Sequence, residues 1–298
     1  MQDDGGRPLA SAQPTALGAR LEPGGRVLVT GLRGTLGPKL AHALEARGAT
    51  VIGWNRDAVP PDDHGAGRAF LERTEVDAVC HLALGSPAWA ALLARHAWER
   101  GVPFLLTSTA MVFHHEPDGP HAPTDERTAK DDYGRLKVAT EDAVRNAYGD
   151  AIVARIGWQI DADARGNNML AHLDRTFASD GTLRASRRWR PACSFMQDTV
   201  EALVGLLERG RGGVHHLDSN AVEGHTFDAI VSALAERYGR TWRVETTEDY
   251  VHDQRLVDSR TQAPGDAPPR EAMPHRMPHL SQRLPSLREA AAVVGARR

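Results

Sequence analysis

Lysine is scarce in this chain: three residues in 298, Lys39, Lys130 and Lys137, with the rest of the basic complement made of arginine. Cysteine is scarcer still, with Cys80 and Cys193 alone, which excludes a disulfide framework and fits a reducing, cytoplasmic setting. No run of 18 apolar residues occurs, so no membrane span is expected. The formal net charge is only -3, which leaves no bulk electrostatic case for nucleic acid or an acidic membrane surface. The N-terminus lacks an apolar signal core, and the Gly-, Pro- and Ala-rich stretch 1–25 is expected to be a flexible leader outside the fold.

What is present is an ordinary globular composition, 41% hydrophobic and 25% charged, long enough for a large core and a second lobe. Short β-branched or apolar runs alternate with helical spacing. Strands are expected at 26–30, 50–54, 76–84, 103–109 and 151–158. Helices are expected after the first and third of these and across "DDYGRLKVATED", while 60–67 reads as a weak Pro-, Asp- and Gly-rich segment. The alternation predicts an α/β fold, a Rossmann-type doubly wound parallel sheet over 26–160. From 161 to 298 the rhythm changes. A smaller mixed α/β substrate lobe is expected there, with some segments returning to the first domain.

"VTGLRGTLG" spaces Gly31, Gly34 and Gly37 between the first strand and its helix. Gly31 would make the tight turn, Gly34 would let backbone approach a pyrophosphate, and Gly37 would let helix and strand pack closely. The helix N-terminus supplies free N–H groups for the phosphates. The second strand ends "GWNRD", where an acidic residue would accept from an adenosine ribose hydroxyl. Arg56 there, with Arg33 in the glycine turn, suits a 2′-phosphate and favours NADPH over NADH. Asp57 remains a competing partner for the ribose.

Chance alone places a tyrosine four residues before a lysine in roughly 4% of chains of this composition. Tyr133 and Lys137 have that spacing on one helix face, so an ammonium is expected beside the phenol, lowering its pKa.

"TGLRGTLG", "STAMVF" and "YGRLK", in that order, resemble the extended short-chain dehydrogenase/reductase family. The dTDP-4-dehydrorhamnose reductase branch, with its similar sugar-nucleotide reductases, matches further. Ser108-Thr109, Val112-Phe113, Tyr133-Gly134, Lys137 and Glu141 stand where that branch has them, as do Arg155, Trp158 and Gly166-Asn167-Asn168. The resemblance covers about 26–293. It implies Tyr133 as the acid that protonates the developing alkoxide. Lys137 would hold the nicotinamide ribose, and Thr109, or Ser108, would orient the carbonyl. Leu36 and Ala83 would join Gly31, Arg33, Gly34, Gly37, Arg56 and Lys137 at the cofactor. Trp158, Asn168 and Arg190 would meet a nucleotide-sugar substrate.

The chain also departs from the branch. Ala110-Met111 replace Asp-Tyr, His114-His115 replace Asp-Gly, and "SRRWRPAC" keeps only Pro191 of a sugar-reading stretch. Arg187, Arg188 and Arg190 are alternatives as a diphosphate clamp or a solvated run. A nucleotide-sugar epimerase or dehydratase is a second reading, and Ala110 in place of a Glu argues against the dehydratase. A non-catalytic, NADP-binding regulatory subunit is a third. No metal is expected, because the histidines lack i, i+4 helical ligand spacing or cysteine company. A monomer and a homodimer are both left open.

Overall fold

The structure is a computed structural model that describes residues 19–163, 166–210, 212–261 and 276–288. Most of the expected leader and most of the Pro-rich stretch before position 278 lie outside these residues.

Six parallel strands form the central sheet: β1 (Arg26–Thr30), β2 (Thr50–Gly53), β3 (Ala78–His81), β4 (Phe104–Thr109), β5 (Ile152–Ile156) and β10 (Gly213–Leu217), in the spatial order β2-β1-β3-β4-β5-β10. The first helices are α1 (Gly37–Glu45), α2 (His64–Arg73), α3 (Pro87–Arg100) and α4 (Asp132–Ala147). The order 2-1-3-4-5 is one of the two common doubly wound arrangements, with its switch point between β1 and β3. Strand alternation explains how both faces are buried. Val27, Val29, Leu105, Ile152 and Ala154 pack under α1 and α6 (Met196–Arg209). Leu28, Val79, Phe104, Leu106 and Val153 pack under α2, α3 and α4.

The segment at 60–67 departs from expectation, because α2 starts inside it. Asp63 caps this helix by accepting from Ala66 N–H at 2.9 Å. Its two glycines weaken the helical signal, and tertiary contact restores it. A Cβ on Gly67 would stand 3.0 Å from Leu92, so the missing side chain lets α2 lie close to α3.

The smaller lobe contains β6 (Trp158–Ile160), α5 (Met169–Asp180), β7 (Leu183–Ser186), β8 (Trp189–Arg190), β9 (Cys193–Phe195), α7 (Phe227–Arg237), β11 (Val244–Thr247), β12 (His252–Asp253) and α8 (Leu280–Arg283). Its strands pair two by two, β6 with β9, β7 with β11 and β8 with β12. The chain crosses into this lobe at Gly157, ahead of the expected boundary, since β6 pairs with β9. A Cβ on Gly157 would fall 2.2 Å from the Ala192 carbonyl oxygen, so glycine permits the crossing. Two elements return: α6 covers one sheet face and β10 extends the sheet beside β5. Among the described residues, no helix is long and apolar enough to cross a membrane.

Candidate active site

β1 ends at Thr30 and turns at Gly31, φ +86°, the left-handed region that glycine adopts without strain. A Cβ on Gly37 would lie 2.2 Å from the Gly31 carbonyl oxygen, so the helix start sits directly on the turn. Gly34 meets only that same oxygen, at 3.1 Å, leaving its other side open for a ligand to approach. Leu36 is the residue before α1, and Ala83 packs against Gly31 from the end of β3. Gly37→Ala should therefore fold poorly or bind dinucleotide at least about tenfold more weakly, since overpacking of this kind costs ~1–3 kcal/mol. Fluorescence titration with NADPH measures it, and unchanged affinity in a variant of unchanged stability would refute the assigned role.

β4 and α4 bring the candidate reactive side chains to the same cleft. Thr109 Oγ1 accepts from Met111 N–H at 3.2 Å, and Thr109 is close enough to the Tyr133 hydroxyl to act on its ionisation. Asp131 caps α4 by accepting from Gly134 N–H at 2.8 Å. Gly134 is needed for packing, since a Cβ there would stand 2.4 Å from the Met111 carbonyl oxygen. It thus holds Tyr133 against the turn that follows Thr109. Ser108 Oγ is buried without a hydrogen-bond partner, and Lys137 Nζ donates to the Thr107 carbonyl at 3.1 Å.

The electrostatics correct one expectation. Burial raises the Tyr133 pKa above its ordinary value, although Thr109 works the other way, and Lys137 is not among the groups that move it. Helical spacing fixes the neighbourhood of two residues but not the aim of a flexible ammonium, which here points at a main-chain carbonyl. Lys137 is itself lowered to about 8 by burial, with Glu141 one turn further holding part of its charge.

These residues line a cleft of about 760 Å³ between the lobes. Its walls include Gly31, Gly34, Leu36, Gly37, Ser108, Thr109, Tyr133, Lys137 and Trp158. A broader depression of about 1060 Å³ lies behind α4, lined by Arg127, Arg145, Arg155 and Arg260, and holds none of the candidate reactive groups.

The sequence model of the family described as "RmlD substrate binding domain" matches residues 87–255, more than half of the chain. The chain belongs to this family. The RmlD match runs from the start of α3 to just beyond β12, and so takes in Ser108, Thr109, Tyr133, Lys137 and Trp158 but not the glycine turn. One curated relative is the dTDP-4-dehydrorhamnose reductase of Mycobacterium tuberculosis, 26% identical over 216 residues, 66% of this chain and 71% of that protein. Among solved structures, the dTDP-4-dehydrorhamnose reductase of Clostridium acetobutylicum superposes with a TM-score of 0.71 at 15% identity, covering 90% of this chain and 99% of that one. A Bacillus anthracis reductase of the same name, solved in complex with NADP, gives 0.68 at 14% identity, over 78% of this chain and 90% of that one. At these identities the structural likeness carries the fold alone.

Other candidates fall elsewhere in this RmlD-family chain. Arg33 and Asp57 form an exposed ion pair at 2.9 Å, which occupies the acidic competitor for the ribose. Arg56 lies with its guanidinium carbon 5.0 Å from the Trp89 ring centroid and donates to the Leu84 carbonyl. Asn168 is buried, and its side chain caps α5 by accepting from Ala171 N–H at 3.0 Å, while its neighbour Asn167 lines the cleft. Arg190 is exposed on β8 outside the cleft, where alternation along the strand brings Trp189 to the wall. Arg187 pairs with Glu248 at 3.4 Å. His81 is a satisfied strand histidine, 2.9 Å from Thr30 Oγ1 and lowered to about 3 by burial. Trp158 both lines the cleft and belongs to an aromatic cluster with Trp189, Phe227 and His172.

Gln159, Trp189, Met196 and Gln254 also line the cleft without any warning in the sequence. Trp189 sat unremarked between the conspicuous arginines. Gln254 arrives only because β12 pairs with β8, a register no local pattern reveals.

Proposed function

We propose that this protein is an NADPH-dependent reductase of the short-chain type, acting on the carbonyl of a nucleotide-linked 4-keto-6-deoxysugar. The observation that carries this reading is the convergence of the glycine turn, Thr109, Tyr133 and the buried Lys137 on one cleft. The turn fits a dinucleotide: its close packing at Gly31 and Gly37 leaves main chain where side chains would otherwise stand. NADPH, when bound, would supply the hydride.

The residues do the rest. Tyr133, a protonated phenol at neutral pH, donates to the oxygen that gains negative charge. Thr109 orients that oxygen, with Ser108 behind it, and Lys137 offers an ammonium to the ribose hydroxyls. Trp158, Met111, Trp189, Gln159 and Gln254 form the wall that faces the sugar. Their mixture of broad apolar faces and amides suits a deoxygenated ring better than a fully hydroxylated one. The relatives named dTDP-4-dehydrorhamnose reductase support the same substrate class.

NADPH and a panel of dTDP- and GDP-linked 4-ketosugars test the proposal through loss of nicotinamide absorbance. Turnover of at least one ketosugar is expected. Cofactor binding without any turnover would favour the regulatory-subunit reading instead. Arg56→Ala should weaken NADPH about tenfold and NADH less than about twofold, as removal of one charge-assisted contact predicts. Equal losses for both cofactors would remove Arg56 from the 2′-phosphate.

A further inference from the structure

We propose that His114, His115 and Glu116 bind one divalent transition-metal ion, of the zinc class, on the loop between β4 and α4. Ligand atoms of these three residues lie within 4.8 Å of one another. Zinc bonds of 2.0–2.2 Å in tetrahedral geometry place donors roughly 3.3–3.6 Å apart, so small rotations of exposed side chains close the remaining distance. The two imidazole rings already touch, with centroids 3.8 Å apart. His114 Nδ1 is buried and has no hydrogen-bond partner, a cost that a ligand would remove.

The donor set selects the metal class. Two imidazoles and one carboxylate suit zinc, nickel or copper, whereas magnesium and calcium prefer oxygen alone. Three protein donors leave a coordination position for water. Among the described residues, Glu116 is held only by Lys130, at 3.4 Å between two exposed side chains, a contact weak enough for a cation to displace. Helical i, i+4 spacing does not reveal this set, because the donors are three consecutive residues of a loop, where helical periodicity does not apply.

Position suggests what the ion would do. None of the three residues lines the active-site cleft, so the ion takes no part in hydride transfer. The loop it would brace runs from Thr109 to Tyr133, and His114 N–H is already tied to Thr128 Oγ1 at 2.9 Å. The His115 ring is 6.1 Å from that of His252 on β12, whose Nε2 is also unpartnered. The site therefore lies at the seam between this loop and the second lobe.

The full chain, free of any histidine tag and stripped with a chelator, is titrated with Zn²⁺ against a chromophoric competitor. One equivalent should bind, and the ion should raise the thermal midpoint. His114→Ala with His115→Ala should weaken binding at least ~10-fold and abolish the midpoint shift. His64→Ala, on the exposed start of α2, should change neither. Glu116→Gln keeps an exposed side chain of the same size and decides the matter if the double variant does not fold: it should also weaken binding. Absence of one-equivalent binding, or affinity undiminished in these variants, would overturn the site.

Discussion

Tyr133→Phe should lower turnover about 10²–10⁴-fold while leaving NADPH affinity within about twofold of the parent, the loss expected when a positioned proton donor is removed. The substitution deletes one oxygen from a side chain that is 41% exposed, so little packing is disturbed. A phenol whose pKa lies above its ordinary value is protonated through the neutral range, so the acid is in its donating form at pH 7. Lys137 sets the other limit. Its pKa is lowered to about 8, so its charge is largely present at pH 7 and is lost as pH rises through about 8. Reduction should therefore fall on the alkaline side of about pH 8, in step with weaker cofactor binding. A variant that turned over at the parental rate, or a rate flat to pH 10, would refute these assignments.

Much of this site was legible because it is carried by short segments of regular spacing. Gly31, Gly34 and Gly37 are read from a turn, Ser108 and Thr109 from the end of a strand, and Tyr133 and Lys137 from one helix face. Each pattern is local, and its geometry follows from the element that bears it. The wall toward the substrate was not legible for the opposite reason. Trp189, Gln254 and Gln159 come from segments that cross between lobes, joined by two-stranded pairings of two to three residues. The same limit hid α2, where packing against α3 overrides two glycines, and the aim of Lys137 Nζ at the Thr107 carbonyl. Glu141 and Arg155 were each recognisable as family-like positions. That they meet was visible only in three dimensions.

That meeting carries the largest expected effect on stability. Arg155 donates to both carboxylate oxygens of Glu141, Nε to Oε1 at 3.0 Å and a terminal nitrogen to Oε2 at 2.8 Å. Their side chains are 3% and 1% exposed. The pair locks α4 to β5, one helical turn beyond Lys137, and Arg127 adds a third contact to the same carboxylate at 3.3 Å. Removing one partner strands a desolvated charge, so Glu141→Ala should cost ~3–5 kcal/mol, a large share of the ~5–15 kcal/mol typical of a whole fold. Removing both is a different matter. Glu141→Leu combined with Arg155→Met replaces two desolvated ions with apolar side chains of similar length and should be less destabilised than either single change. Urea midpoints of the parent, Glu141→Leu, Arg155→Met and the double variant give the coupling directly. Additive losses below about 1 kcal/mol each would mean that the pair contributes little. Activity separates the pair's two roles. Glu141 also supports the charge on Lys137, so the refolded double variant should lose cofactor affinity at a lower pH than the parent even where its stability is restored.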